Sequence, residues 1–339
     1  MSVFIVAEMS GNHNGSLKLA VDTIKAAKKA GADAIKLQTY TADTLTLDCD
    51  SPDFMANPKG LWAGQRLHDI YKVAYTPWEW HKELFHVAKE EGLVCFSSPF
   101  DNTAVDLLEN LGCPMYKIAS PEIVDVGLIQ YAAKTGKPVV LSTGIATEDD
   151  MQLAIDTCRN NGCNDITLLK CTTAYPTPLE VCNLSMIPEF SKRFGVKAGL
   201  SDHTMGWIAP VVAATLGATM IEKHFIIDRN LGGVDSAFSM SQDEFSEMVR
   251  YVRDAEKCIG SVSFEPTESM INGRRAARSL YVAENVKAGD VVTEQNVRSV
   301  RPGFGLHPKY LQKILGLRFL NDYKKGDRFS LEMVQPAER

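Results

Sequence analysis

Short β-branched and apolar runs alternate with amphipathic stretches over the first 260 residues. Residues 3–7 (VFIVA) form an apolar run that ends at the loop SGNHNG. A helix opening at Ser16 then places Leu17, Val21 and Ile24 on one face until Gly31 stops it. A second strand over 34–38 (AIKLQ) leads into a long excursion, from about Thr41 to Thr76, that contains Pro52, Pro58 and Gly60 and keeps no single period. The next helix starts near Thr76-Pro77 and runs to Gly92. From there the alternation is regular. Strands over 94–97, 115–118, 138–142, 166–170, 196–200 and 220–224 precede helices that begin near Thr103, Val126, Thr147, Ser185, Ile208 and Ser241. Glu148, Asp149 and Asp150 fill the first turn after Thr147, where the helix dipole favours acidic side chains. Eight strands alternating with eight helices imply parallel pairing, and the count of eight predicts a closed (β/α)8 TIM barrel over 1–260.

After Gly260 the pattern changes. The stretch SVSFEPTESMINGRR is polar and reads as a linker over 261–277. Then SLYVAENV, KAGDVVT and RSVRPGFG are short strand-like runs separated by turn residues, which predicts a small β domain over 278–339. A unit that small buries little surface alone, so it is expected to pack on something else.

Composition narrows the function class. The net charge of −6 speaks against a nucleic-acid partner, which selects a basic face. The N-terminal apolar run is short and has no basic residues before it, unlike a signal peptide. No run of 18 apolar residues is present, so no membrane span is expected. The eight cysteines form no CxxC pair, which suits free thiols in a reducing cytoplasm.

In a barrel of this type, chemistry sits at the carboxyl ends of the strands. Those ends carry Glu8 and Asn12-His13-Asn14; Lys36 and Gln38; Ser97, Ser98 and Asp101; Lys117, Ser120 and Glu122; Ser142-Thr143-Gly144; Lys170, Thr172, Thr173 and Tyr175; Ser201, Asp202 and His203; and Glu222 and His224, with Asp228 and Asp235 beyond. Lys36, Lys117 and Lys170 interrupt otherwise apolar strands. Lysines converging with Ser and Thr hydroxyls suit a phosphate or carboxylate. His203 and His224 end neighbouring strands at comparable depth, and two imidazoles there suit Mn²⁺, Mg²⁺ or Co²⁺. Glu222 shares a face with His224, as a base or a supporting group. Glu8, Glu122 and Asp235 offer acid–base capacity. Each of these residues also has a plain structural alternative: a satisfied core histidine, a structural ion pair, a helix cap.

Taken in order, AEMSGNHNG, AIKLQTY, FSSPFD, YKIASPE, CTTAYPTP, LSDHT and IEKHF resemble the motifs of the sialic acid synthase family. The tail RSLYVAENVKAGDVVTEQNVRSVRPGFG resembles that family's antifreeze-like (SAF, β-clip) domain. Together they cover essentially the whole chain. Within the family, AEMSGNHNG with YTPWEWH and GLWAGQ is most similar to the branch that uses 2,4-diacetamido-2,4,6-trideoxy-L-altrose. The resemblance implies a transferase that condenses phosphoenolpyruvate with an open-chain amino-sugar aldehyde, releasing phosphate and forming a nonulosonic acid. It implies that Lys36, Ser98, Lys117, Ser120, Thr173 and Ser201 hold phosphoenolpyruvate and that His203 and His224 hold a divalent metal. Glu8, Glu122, Tyr175 and Asp235 would face the sugar, with Glu8, Glu122 and Glu222 as catalytic carboxylates. Arg301 would reach the site of a partner subunit in a domain-swapped homodimer. Ser98 stands where the family commonly has threonine, and Thr173 where many members have asparagine.

Other readings stay open on the residues alone. One is the same condensation with N-acetylmannosamine or the legionaminic precursor; an apolar lining around Trp62, Trp78 and Trp80 would favour the 6-deoxy sugars. Another is an aldolase acting through a Schiff base on Lys117 or Lys170. The third is a non-catalytic carbohydrate-binding barrel.

Overall fold

The computed structural model describes residues 2–58 and 62–335. Two residues of the GLWAGQ motif, Gly60 and Leu61, and the last four residues of the chain lie outside that range. The chain divides into two compact units, Met1–Gly260 and Ser261–Arg339.

The first unit is built on eight parallel strands: β1 (Phe4–Glu8), β2 (Ala34–Thr39), β3 (Val94–Pro99), β4 (Tyr116–Ile118), β5 (Val139–Ser142), β6 (Ile166–Lys170), β7 (Lys197–Asp202) and β8 (Met220–His224). They pair in sequence order and close through β1 and β8 into a barrel. The register levels the strand ends. Glu8 stands beside Lys36 on one side and His224 on the other, and Ser201 stands beside Glu222.

The helices between the strands are α1 (Leu17–Lys29), α4 (His81–Glu90), α5 (Asn102–Asn110), α6 (Val126–Ala133), α7 (Glu148–Asn160), α8 (Met186–Phe194), α9 (Ile208–Thr215) and α10 (Gln242–Ile259). Polar side chains set their starts. The Ser16 hydroxyl accepts from the Leu19 amide, the Asp101 carboxylate from Thr103 and Ala104, and Thr147 and Asp150 form a reciprocal capping box. The core between the helix ring and the strands buries Ile5, Ile35, Cys95, Leu141, Leu168 and Ile221. Gly199 is required on β7: a side chain there would meet the Met220 carbonyl at 2.4 Å.

The excursion after β2 holds two helices that mixed periodicity did not reveal, α2 (Ala42–Leu45) and α3 (Leu67–Ala74). In the second unit, the stretch expected as a linker carries α11 (Glu268–Gly273), none of whose residues is buried. The β region beyond it is two small antiparallel sheets, β9 (Ser279–Val282) with β10 (Val297–Val300) and β11 (Arg318–Phe319) with β12 (Val334–Gln335). They enclose their own apolar core of Leu280, Val282, Val297, Ile314, Phe319 and Phe329.

Candidate functional site

The carboxyl ends of the barrel strands open on a cavity of about 570 Å³. Glu8, Lys36, Lys117, Ser120, Glu122, Thr173, Tyr175, Ser201, His203, Glu222, His224 and Asp235 all line it. Ser98 supports the wall from behind, its buried hydroxyl accepting from Lys36 Nζ at 3.3 Å. Arg301 is exposed in the second unit, just past the end of β10.

At the floor, two lysines and two carboxylates form a buried cluster. Lys36 Nζ lies 2.6 Å from Glu8 Oε1 and 3.7 Å from Glu222 Oε2. Lys117 Nζ lies 3.3 Å from Glu222 Oε1, which also accepts from Ser201 at 2.9 Å. Gln38 donates to Glu8 at 2.9 Å. The charges explain each other. Burial alone would raise the Glu8 carboxyl, but His224, Lys36 and Lys117 hold it well below the ordinary carboxylate range. Burial pushes Lys36 down, and Glu222 and Glu8 more than restore it. Isolated charges at this depth would be prohibitive, so the cluster persists because it is internally balanced.

Glu122 differs. Burial pushes its carboxyl up to about 7 against the weaker pull of its backbone and of Lys117. Its buried Oε2 has no hydrogen-bond partner among the described residues. A carboxyl that changes protonation near neutrality suits proton transfer. If it accepts a proton during turnover, kcat rises with pH through about 7 and then levels, because the group is ionised only above that value. Glu122→Gln is expected to remove that limb and lower kcat by roughly 10²–10⁴-fold; a variant with an unchanged pH profile would exclude this role.

A small cradle lies beside the lysines. A side chain at Gly144 would fall 2.2 Å from Thr173 Oγ1 and 2.7 Å from Ser120 Oγ, and the Ser120 hydroxyl already accepts from the Gly144 amide at 3.0 Å. The missing side chain leaves two hydroxyls free to turn toward an anion. Gly144→Ala is expected to raise the KM of the anionic substrate about 10-fold or more through lost polar contacts; an unchanged KM in steady-state kinetics would show that the hydroxyls do not bind it.

His203 and His224 face one another with ring centroids 5.3 Å apart. His224 Nε2 lies 3.4 Å from Glu8 Oε2, while its buried Nδ1 has no partner among the described residues. His203 Nδ1 lies 3.1 Å from the Thr172 carbonyl, which orients the ring. Burial lowers His224 toward the neutral form that a metal requires, whereas Cys171 and the Thr172 carbonyl hold His203 above its ordinary value despite burial. Among the described residues no group of three or more His, Cys, Asp or Glu side chains is arranged to hold a metal. A pair of imidazoles with one orphaned buried nitrogen, beside the Glu8 carboxylate, fits an open site completed by other oxygen donors.

Tyr175 stacks against His203 at 4.5 Å and Phe238 at 5.0 Å, with Trp62 at 6.4 Å on its far side. Asp235 accepts from the Ser10 hydroxyl at 2.5 Å. One expectation requires correction. Lys170 does not join the other lysines: half-buried at the last position of β6, it turns back to donate to the Cys171 carbonyl at 2.7 Å. Of the three tryptophans, only Trp62 lines the cavity. Trp78 donates to the Tyr40 carbonyl, and Trp80 packs edge-on against His13.

Sequence reasoning missed Lys223. It sits between Glu222 and His224 but points away from the cavity, 2.5 Å from Asp202 Oδ2 and 2.6 Å from the Thr204 carbonyl. Asp202 in turn accepts from the Thr204 amide at 2.9 Å and hydroxyl at 3.1 Å. The signal was available: an ionisable residue at the odd position of a buried strand, level with an aspartate on the next strand.

Comparison with known proteins gives a consistent neighbourhood. The NeuB family profile matches residues 23–264 and the SAF domain profile residues 277–335. A pseudaminic acid synthase of Campylobacter jejuni is 47% identical over 325 residues, covering 96% of this chain and 94% of that protein. One of Helicobacter pylori is 48% identical over 332 residues, covering 98% and 97%. The crystal structure of an N-acetylneuraminic acid synthetase from Leptospira borgpetersenii superposes with a TM-score of 0.71 at 30% identity, over 80% of this chain and 90% of that one.

Proposed function

The chain belongs to the NeuB family, and we propose that it condenses phosphoenolpyruvate with 2,4-diacetamido-2,4,6-trideoxy-L-altrose to give pseudaminic acid and phosphate. The observation that carries this reading is the balanced floor of Lys36, Lys117, Glu8 and Glu222 beside a histidine pair, in a chain 47–48% identical to proteins named for that product. Lys36 and Lys117 neutralise the substrate's phosphate and carboxylate. Ser120, Thr173 and Ser201 supply the short hydrogen bonds that fix its plane, while Ser98 accepts from Lys36 and holds that lysine in place.

The C3 carbon of the enol attacks the sugar's aldehyde carbon, and positive charge develops at C2. Glu8, held ionised by its neighbours, stabilises that charge. Water adds at C2 as Glu122 takes one of its protons. The proton Glu122 gains offsets the one taken up by the aldehyde oxygen as it becomes a hydroxyl. The intermediate collapses to the C2 ketone as its C2 hydroxyl gives its proton to the departing phosphate and the C2–oxygen bond breaks. Glu222 holds Lys36, Lys117 and Ser201 in register throughout. Tyr175 and Asp235 contact the sugar. His203 and His224 would hold the divalent cation, Mn²⁺, Mg²⁺ or Co²⁺, which when bound supplies Lewis acidity to the aldehyde.

We place Arg301 of a partner subunit at the sugar, in a domain-swapped homodimer. Val262 and Phe264 are 97% and 99% exposed in the isolated chain, and a second copy gives them cover. Cytoplasmic residence suits eight cysteines that are all free. Among the described residues no helix is long and apolar enough to cross a membrane.

The bond that breaks gives the test. With ¹⁸O in the bridging position of phosphoenolpyruvate, the released phosphate should carry the label. Unlabelled phosphate would mean attack at phosphorus and would overturn this chemistry.

A further inference from the structure

The barrel strands and the excursion contribute opposite things to the cavity. Charged side chains come from the strand ends and the loops that follow them, while the described excursion residues that line it are all uncharged. Within the excursion, α3 shows why. Leu67, Ile70, Tyr71 and Ala74 recur at i, i+3, i+4 and i+7, the stripe by which a helix buries itself. Among the described residues, none of these four belongs to the barrel's apolar core. All four line the cavity, while Asp69 and Lys72 on the other face are exposed. An apolar stripe that lines open volume, with Leu67 and Ala74 only half-buried, is satisfied by a ligand's apolar surface.

The orientation follows from the rest of the site. The anionic substrate belongs on the lysines, and the aldehyde must reach the histidine pair. The ring path from His203 through Tyr175 to Trp62 leads outward to the excursion. The end of the sugar farthest from its aldehyde therefore meets α3.

We infer that Leu67, Ile70 and Ala74 of α3 are specificity determinants that receive the C6 methyl of the sugar and select 6-deoxy substrates against their 6-hydroxy counterparts. This rests on the condensation proposed above. A hydroxyl placed against Leu67, Ile70 and Ala74 would lose its water and find no polar side-chain atom on those three residues. An apolar pocket rejects such an added hydroxyl only about 100-fold, so the preference is finite and measurable.

The test compares kcat/KM for the 2,4-diacetamido-2,4,6-trideoxy sugar with that for its 6-hydroxy analogue. The unaltered protein should prefer the deoxy sugar by roughly 10²-fold. Ile70→Asn, which offers the hydroxyl a partner, should cut the preference about 10-fold or more while leaving the KM for phosphoenolpyruvate unchanged. Ile70→Val should keep the preference. Should Ile70→Asn fail to fold, Leu67→Gln at a half-buried position on the same stripe carries the same expectation. Turnover with an unaltered preference in the polar variants overturns this inference alone. No turnover of either sugar by the unaltered protein overturns the condensation reading, and this inference with it.

Discussion

Lys223→Met is expected to destabilise the first unit by about 3–5 kcal/mol, because it leaves a buried carboxylate without its cation. Asp202 and Lys223 are both nearly inaccessible to solvent, and their ion pair also anchors the Thr204 carbonyl, amide and hydroxyl. The pair thus fixes the turn that follows β7, with His203 inside it, and ties that turn to the residue before His224. Chemical denaturation read by tryptophan fluorescence measures the loss. The double variant Asp202→Leu with Lys223→Met should recover much of it, since replacing both partners removes the uncompensated charge. A single variant within about 1 kcal/mol of the parent would show that the Asp202 charge is not buried as described.

The second large effect is on turnover. Lys36→Met should lower kcat/KM for phosphoenolpyruvate by roughly 10³-fold or more, since it removes a preorganised positive charge from a site shielded from water. It also strips Glu8 of the partner at 2.6 Å that helps to hold it ionised. Steady-state phosphate release measures the change, and a thermal melt separates it from unfolding. Retention of activity within about tenfold would reduce Lys36 to a structural ion pair, because loss of a charge-stabilising donor ordinarily costs 10²–10³-fold.

These residues were legible in the sequence for a physical reason. A parallel strand buried on both faces leaves no other use for a lysine or glutamate than a polar mouth, so Glu8, Lys36, Lys117 and Glu222 stand out against apolar neighbours. The closed barrel supplies the rest, bringing residues more than 200 positions apart to the same level, as with Glu8 and His224. Lys170 was misread because it is the last residue of its strand, where alternation no longer fixes a side chain's direction and a flexible four-carbon stem can fold back. Lys223 was passed over because its partner is on another strand.

The excursion was the least legible part. Its helices are short and separated by an irregular stretch that holds Pro52 and Pro58, and the stripe of α3 turns toward a cavity that only the folded chain creates. The self-contained core of the second unit was equally hidden. Its apolar residues are scattered from Leu280 to Met333, and short two-stranded pairings plus isolated bridges bring them together.

Phosphate release from phosphoenolpyruvate tests the proposed reaction most directly. Three sugars are supplied separately, the diacetamido-trideoxy-altrose, the legionaminic precursor and N-acetylmannosamine, each with Mn²⁺ and with a chelator. Pseudaminic acid synthesis predicts release with the altrose sugar alone, abolished by the chelator. Release with none of the three sugars, or release indifferent to the chelator, would contradict it.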